Sequence, residues 1–146
     1  MPYTSIHIHI VFSTNHRESS IHESFEGRLH AYLGGIIRNL GAVPLEINGI
    51  EDHVHILTGA PPRVSVSELI GKTKSNSSRW INEERLTPRK FRWQTEYGAF
   101  SVSRSNVDAV REYIRGQKEH HRRITFREEL MTLLRRHEVE FDPRFV

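Results

Sequence analysis

Four segments of the chain have the alternating hydrophobic and polar positions, or the compact apolar runs, that are typical of β-strands. Ser5–Thr14 reads SIHIHIVFST, and Pro44–Ile50, His53–Thr58 and Ala99–Ser103 form three shorter segments of the same kind. Such runs predict strands with one well-buried face. Only the turn Glu51-Asp52 separates the middle two segments, so we predict that they form a hairpin.

Four other segments repeat their apolar residues every three to four positions, which is the period of an amphipathic helix. The first extends from Phe25 to Leu40 and is followed by a stop signal at Gly41. The second extends from Val66 to Ile81. Two more helices follow the last strand, each opened by a capping-box pattern. These patterns are Ser105 with Asp108 before Val107, Val110 and Ile114, and Thr125 with Glu128 before Phe126, Leu130, Leu133 and Leu134.

The predicted order is β-α-β-β-α-β, followed by two additional C-terminal helices. This order is the ferredoxin-like pattern of the α+β class, with an antiparallel sheet and helices packed on one face. The chain has 146 residues, of which 36% are hydrophobic and 27% charged. That size and composition are typical of one folded domain, so we expect residues 1–146 to form a single domain.

Composition excludes several classes of protein and site. The sequence has no cysteine, which rules out disulfides and thiolate metal sites. It has no apolar run of about 18 residues, and its start, MPYTSIHIHIVFST, does not look like a secretory signal. We therefore expect no membrane association and a cytoplasmic location.

Basic residues are concentrated in one part of the chain. The formal net charge is +3, but residues 63–93 contain eight Lys or Arg and only three acids. The excess of five positive charges in this segment is larger than that of the whole chain. Such a segment either holds phosphates or forms a solvated helix face, and charge alone leaves both interpretations open.

Two histidine pairs are candidates for a metal site. His53 and His55 are one residue apart on a predicted strand, so their side chains point to the same face and can share one ion. On any strand, residues two positions apart point to the same face, so the spacing alone does not indicate a metal site. His7 and His9 form a second pair with the same spacing. Both pairs stay candidates at this point. A divalent ion needs further ligands beyond two histidines.

Gln117 and Tyr113 are candidates for a third ligand and a nucleophile. Gln117 falls at the edge of the inward-facing apolar stripe of its predicted helix. Its side-chain carbonyl oxygen can ligate a hard cation there. Alternatively, its side-chain amide forms hydrogen bonds with the backbone. Tyr113 precedes it by one helical turn, so the two side chains are neighbours. A phenol with a pKa of about 10 is a poor nucleophile at neutral pH, and a metal that polarises a phosphate offsets this weakness. Tyr3, Tyr32 and Tyr97 are competing nucleophiles.

Taken together, these residues resemble the single-tyrosine HUH transposases, the TnpA proteins of small insertion sequences, and their REP-associated tyrosine transposase relatives. Asp52 to Leu57 (DHVHIL) resembles the HUH motif, in which a hydrophobic residue separates two histidines. Tyr113 to Gln117 (YIRGQ) resembles the nucleophile helix. Further matching segments are HIVFST, IGKTKSNSS, WQTEYGAFSVS, QKEHH and the closing TFREELMTLLRRHEVEFDPRF. The resemblance spans essentially the whole chain.

The resemblance implies that His53, His55 and Gln117 bind Mg²⁺ or Mn²⁺, that Tyr113 is the nucleophile, and that His9 is not a ligand. Attack on DNA by the tyrosine would give a phosphotyrosine link and a free 3′-hydroxyl, and rejoining would need no nucleotide cofactor. The implied partners are single-stranded DNA with hairpins and a second copy of the chain. In the implied homodimer the site is built either within one subunit or across two.

A single-stranded substrate also fits the basic segment, since cations follow phosphates and aromatic rings stack on unpaired bases. The residues that we assign to DNA binding are Lys72, Lys74, Arg79, Arg89, Lys90, Arg92 and Trp93. For Trp93 both base stacking and core packing stay open, whereas we expect Trp80 in the core. With DNA as the substrate, we expect the cytoplasmic protein to associate with the nucleoid.

Three other functions compete with transposition. A domesticated relative would process or bind chromosomal repeat hairpins without moving itself. A metal phosphodiesterase would use activated water and leave no covalent link. A non-catalytic dimeric module would bind DNA only.

Overall fold

The four predicted strands form one antiparallel sheet in the order β2-β3-β1-β4. The structure is a computed structural model and describes residues 2–146. Its strands are β1 (His7–Ser13), β2 (Val43–Ile50), β3 (His53–Gly59) and β4 (Gly98–Val102), and its helices are α1 (Glu23–Asn39), α2 (Val66–Glu83), α3 (Val107–Arg115), α4 (Gln117–His120) and α5 (Phe126–Arg136). The predicted α+β, ferredoxin-like order with added C-terminal helices is confirmed.

Alternation along the two central strands divides their side chains between the faces of the sheet. On β1, Ile10 and Phe12 point to the face that α1 and α2 cover, and on β3 Val54 and Ile56 do the same. All four are at most 2% exposed. Burial of each such side chain stabilises the fold by about 1.5–3 kcal/mol relative to its exposure.

The second face of the sheet is also covered, which corrects the prediction that helices pack on one face only. Val11 and Phe100 of this face pack against Phe126 and Leu133 of α5. A neighbouring apolar cluster joins Leu57 of β3 to α3. The C-terminal helices therefore close over the face that carries His53 and His55.

Three predicted helix signals have different outcomes. Gly41 follows α1 with a φ of +85°, a left-handed conformation that glycine adopts at low cost, so the predicted stop is confirmed. The hydroxyl of Thr125 accepts a hydrogen bond from the backbone N–H of Glu128 at 3.2 Å, which confirms the cap of α5. The predicted capping box at Ser105 is wrong, because the Ser105 hydroxyl bonds to Ser103 within a 3₁₀ turn that precedes α3.

The helix predicted to carry both Tyr113 and Gln117 is interrupted between them. α3 ends at Arg115 and α4 begins at Gln117, with Gly116 at the break. Glycine is a weak helix former. The side-chain amide of Asn48 on β2 donates to the carbonyls of Ile114 and Arg115 at 3.0 and 3.2 Å, so the sheet satisfies the backbone where the helix stops.

The two longest helices pack against each other through stacked rings. Tyr32 of α1 and Trp80 of α2 have ring centroids 4.4 Å apart and planes 9° apart, and both helices cover the same core. Trp80 is half-buried and packs against the buried core, so the expected core packing is found at the edge of the core. Between residues 2 and 146, no helix has both the length and the apolar character that a membrane crossing requires.

Gly49 on β2 is where the hairpin to β3 is tightest. A Cβ atom at this position would lie 2.1 Å from the carbonyl oxygen of His53 and 2.9 Å from the Cα of Val54. Backbone atoms cannot move aside as a flexible side chain can, so we expect Gly49→Ala to lower the free energy of unfolding by about 3 kcal/mol. Urea denaturation followed by circular dichroism measures the change.

Gly35 provides the matched control for this substitution. It lies within α1, and a Cβ there would meet no atom within 4 Å. Gly35→Ala is therefore expected to raise the free energy of unfolding by about 0.5–1 kcal/mol, the helix propensity difference. Equal stability of Gly49→Ala and the unmodified chain would contradict the close approach of β2 and β3.

Candidate active site

His53 and His55 lie side by side on β3, fully buried under the C-terminal helices. Nδ1 of His55 is 2.8 Å from Nε2 of His9 on the neighbouring strand. This contact turns the other nitrogen of His55 towards the carboxylate of Glu129, 2.9 Å away. The group of converging ligand atoms found within residues 2–146 includes His53 and His55 but neither His7 nor His9. The second pair therefore takes part only through His9, as a partner of His55.

Tyr113 and Gln117 reach the same point from α3 and α4. The carbonyl oxygen of the fully buried Gln117 side chain lies 3.0 Å from Nε2 of His53. The amide nitrogen of Gln117 donates to Oε2 of Glu129 at 2.7 Å, and the Tyr113 hydroxyl donates to the same oxygen. The Gln117 side chain thus bonds to side chains of the site. All four residues singled out in the sequence are brought together within one chain.

Glu129 and His121 were missed by sequence reasoning. Glu129 lies on α5 and is 1% exposed, and His121 follows α4 with its Nε2 2.9 Å from Oε1 of Glu129. A signal for Glu129 was present, since the residue stands three positions after Phe126 and four before Leu133, on the apolar stripe of its helix. An acid on such a stripe indicates a buried partner.

The three histidines of the site share one orientation. In each, Nδ1 is held by another group and Nε2 points to Glu129. The Nδ1 partners are Asp52 for His53 at 2.7 Å, His9 for His55 at 2.8 Å and the carbonyl of Ile124 for His121 at 2.9 Å. Histidines that bind metals are held in this way, with the remote nitrogen bonded to a second group so that the other faces the ion.

The donor set fits a divalent cation. Ligand atoms of His53, His55, His121 and Glu129 all lie within 4.8 Å of one another. Three imidazoles and a carboxylate are ligands that divalent transition metals accept, and a buried carboxylate brings the negative charge that a cation needs. This part of the chain is therefore chemically suited to a metal, and its donors do not by themselves select one ion.

The buried histidines differ in protonation. Burial by itself would lower the pKa of His53, but hydrogen bonds to Asp52 and Glu129 raise that pKa to about 9. Burial lowers the pKa of His55 to about 4, and burial with the neighbouring His55 lowers the pKa of His9 to about 3. At neutral pH, His53 is charged, and His9 and His55 are neutral.

The carboxylate and the phenol are shifted in opposite directions. Burial opposes ionisation of Glu129, yet hydrogen bonds from His121, His53 and His55 hold its pKa well below the ordinary value. Burial and the hydrogen bond to Glu129 raise the pKa of Tyr113 above its ordinary value. Without a cation the nucleophile candidate is therefore a neutral phenol, held by an ionised carboxylate.

Acidification is expected to destabilise the fold. His9 and His55 have folded pKa values of about 3 and about 4 but gain protons near pH 6.5 when unfolded, so their stability contribution is lost as the pH falls below 6.5. His53 acts in the opposite sense, because its folded pKa is raised and its contribution is complete below pH 6.5. Two groups outweigh one, so we expect the free energy of unfolding to be on the order of 3 kcal/mol lower at pH 4.5 than at pH 7.5. Urea titrations at the two pH values test this, and equal stabilities would contradict it.

Tyr113 and Glu129 line a cleft of about 480 Å³ between α3 and α5. Arg136, His120 and His137 line the same cleft. An anionic ligand approaching the tyrosine through this cleft would meet a guanidinium and two imidazoles. The cleft therefore suits a phosphate-bearing ligand.

The basic segment forms a second cleft away from this site. Five of the residues assigned to DNA binding line it, in a volume of about 810 Å³ between α2 and residues 90–97; they are Lys74, Arg79, Lys90, Arg92 and Trp93. Lys72 instead pairs with Glu68 at 3.1 Å, and Arg89 lies exposed in the loop. Because α2 covers the face of the sheet opposite to His53 and His55, the structure does not join this cleft to Tyr113.

Two residues of the basic segment have structural partners. The amine of Lys74 donates to the backbone carbonyls of Gln94 and Glu96, which ties the loop to α2. Trp93 is 8% exposed, packs edge-on against Phe12, and donates its indole N–H to Ser77 at 2.9 Å. The base-stacking role considered for Trp93 is therefore corrected to core packing.

The chain is similar to known proteins in sequence and in fold. The family model described as "Transposase IS200 like" matches residues 2–117. The transposase for insertion sequence element IS200 of Salmonella typhimurium LT2 is 31% identical over 121 residues, which cover 76% of each chain, and that of Salmonella typhi matches equally. A candidate transposase from Deinococcus radiodurans R1 has a similar structure, with a TM-score of 0.64, 21% identity and coverage of 80% of this chain and 93% of its own.

A further solved structure shares the fold, that of a REP-associated tyrosine transposase bound to a REP hairpin. It has a TM-score of 0.63 and 12% identity, and the match covers 83% of this chain and 72% of that one. Structural similarity at such low sequence identity shows the fold alone, whereas the family model and the Salmonella relatives show the family. On those matches, the chain belongs to the family of IS200-like transposases.

Proposed function

We propose that this transposase cleaves and rejoins single-stranded DNA at insertion-sequence ends through a 5′-phosphotyrosine intermediate on Tyr113. The observation that carries the proposal is the convergence of Tyr113, Gln117, His53 and His55 of one chain on the carboxylate of Glu129. A nucleophile beside a cluster of cation ligands is the arrangement that metal-assisted phosphoryl transfer needs.

The cation of this proposal is Mg²⁺ or Mn²⁺, held by Nε2 of His53 and His55 and by the carbonyl oxygen of Gln117. When bound, it would polarise the scissile phosphate and stabilise charge on its oxygens. Imidazole nitrogens suit transition metals better than Mg²⁺, which prefers oxygen. We therefore expect Mn²⁺ to bind more tightly than Mg²⁺.

In the proposed reaction the oxygen of Tyr113 bonds to phosphorus and loses its proton. The bond from phosphorus to the 3′-oxygen breaks, and that oxygen leaves as a 3′-hydroxyl. The phosphodiester energy is kept in the phosphotyrosine link. Attack by a 3′-hydroxyl on this link restores the phenol and joins the strands, so no nucleotide cofactor is needed.

The proposed substrate is single-stranded DNA with a hairpin. The REP-associated tyrosine transposase of similar fold was solved with a REP hairpin, and we extend hairpin binding to this chain as part of the proposal. A homodimer belongs to the proposal as well, although the four residues already meet within one chain, which supports a site built in cis. The alternative, processing of chromosomal repeat hairpins without mobility, would lack paired element ends beside the gene.

The covalent adduct is the test of this function. The full chain is incubated with single-stranded DNA from either side of its gene and with Mn²⁺, and denaturing gels are searched for protein linked to DNA. Peptide mapping should place the link on Tyr113. Cleavage without any adduct, or an adduct on another tyrosine, would overturn the proposal.

A further inference from the structure

The segment that follows Gln117 contributes a buried carboxylate to the site. The family model matches residues 2–117, so Glu129 lies beyond it. α5 brings this residue back over β3, where it is 1% exposed between the histidines and the tyrosine. The proposed chemistry described above does not assign it a role.

The two carboxylate oxygens of Glu129 have different partners. Oε1 faces Nε2 of the three imidazoles, at 2.9 Å from His55, 2.9 Å from His121 and 3.4 Å from His53. Oε2 accepts hydrogen bonds from the Tyr113 hydroxyl and the Gln117 amide. One oxygen thus lies among the cation ligands, and the other holds the nucleophile.

A purely structural role explains this position poorly. A carboxylate buried among imidazoles loses hydration that the ion pairs only partly restore, and an apolar side chain on the same helix stripe is often at least as stabilising. Phe126 stacks on His53 with ring centroids 4.4 Å apart, so α5 already has an apolar anchor here. Thr125 caps the helix, which holds Glu129 on a rigid element.

We propose that Glu129 is a further catalytic residue of this enzyme, which ligates the divalent cation through Oε1 and positions the Tyr113 hydroxyl through Oε2. This inference rests on the proposed function. It makes the C-terminal segment part of the active site, so that the cation and the nucleophile are coupled through one side chain. With Glu129, the ligands of the cation include a negative charge, which His53, His55 and the Gln117 amide do not provide.

The test compares Glu129→Gln with Glu128→Gln in the full chain. Both remove one charge from the first turn of α5, but Glu128 is exposed to solvent. Isothermal titration with Mn²⁺ is expected to give an affinity at least tenfold weaker for Glu129→Gln and within twofold of the unmodified chain for Glu128→Gln. The adduct yield of Glu129→Gln should fall at least a hundredfold, with an unchanged circular dichroism spectrum.

Further variants distinguish failure of the role of Glu129 from failure of the proposed function. If Glu129→Gln does not fold, Glu129→Asp keeps the charge but withdraws the carboxylate by one methylene, and weaker Mn²⁺ binding is again expected. Unchanged Mn²⁺ affinity in the folded Glu129 variant, together with lost affinity in His53→Ala, would overturn the role of Glu129 and leave the metal centre standing. An unmodified chain that neither binds Mn²⁺ nor forms an adduct would overturn the proposed function itself.

Discussion

Tyr113→Phe is expected to abolish the covalent adduct and to reduce DNA cleavage at least about a thousandfold, because it removes the oxygen that bonds to phosphorus in the proposed reaction. The substitution keeps the ring, which lies edge-on to His55 and His9 with centroids 5.9 and 6.1 Å away. Packing and Mn²⁺ affinity should therefore change little. Gel assays of adduct and product, with titration calorimetry on the same preparation, measure all three quantities.

Tyr97→Phe is the control for this prediction. Tyr97 is a competing nucleophile in the sequence, is 43% exposed and lines the basic cleft on the far side of the sheet from the histidines. Its variant should cleave DNA and form the adduct like the unmodified chain. Cleavage retained by Tyr113→Phe would instead favour a phosphodiesterase that activates water.

His55→Ala is expected to remove measurable Mn²⁺ binding and to lower cleavage at least about a thousandfold. His55 is completely buried, and its two nitrogens contact His9 and Glu129. Alanine would delete a proposed metal ligand and leave His9 and Glu129 without the imidazole that both contact. Chelation of the metal from the unmodified chain should produce the same loss of cleavage, and added Mn²⁺ should restore it only in that chain.

The first-strand histidines provide graded controls for His55→Ala. His9→Gln should weaken Mn²⁺ binding by about 10–100-fold, the usual effect of removing a group that orients a metal ligand. His7→Ala should leave the affinity within twofold, since His7 lies outside the converging group. The reverse order, with His7→Ala losing the cation and His55→Ala keeping it, would assign the metal to the other pair.

Much of the fold follows from local sequence patterns, because the spacing of apolar residues matches the residue period of a strand or a helix. The two-residue period of SIHIHIVFST sends Ile10 and Phe12 to one face and His9 and Val11 to the other, as the structure has them. The stop at Gly41 was likewise visible. The box at Ser105 failed because the Ser105 hydroxyl bonds to the Ser103 hydroxyl, and α3 begins after Asn106 without a side-chain cap.

Glu129 illustrates the limit of this reasoning for the site. Its position on the apolar stripe of α5 indicated a buried acid, but not the identity of its partner. His55 is 74 residues away in the sequence. Trp93 shows the same limit, since a tryptophan among basic residues suits both base stacking and the core, and only the packing of Phe12 against its ring decides between them.

The amino-acid sequence by itself determined which side chains share a face, because strand and helix periods set those directions locally. It placed His53 with His55 and Tyr113 one turn before Gln117. Only the tertiary structure decided that these two faces meet, that His9 supports the pair, and that a carboxylate from the last helix lies between them. Such contacts depend on how helices pack on both faces of one sheet, and no local period encodes that packing.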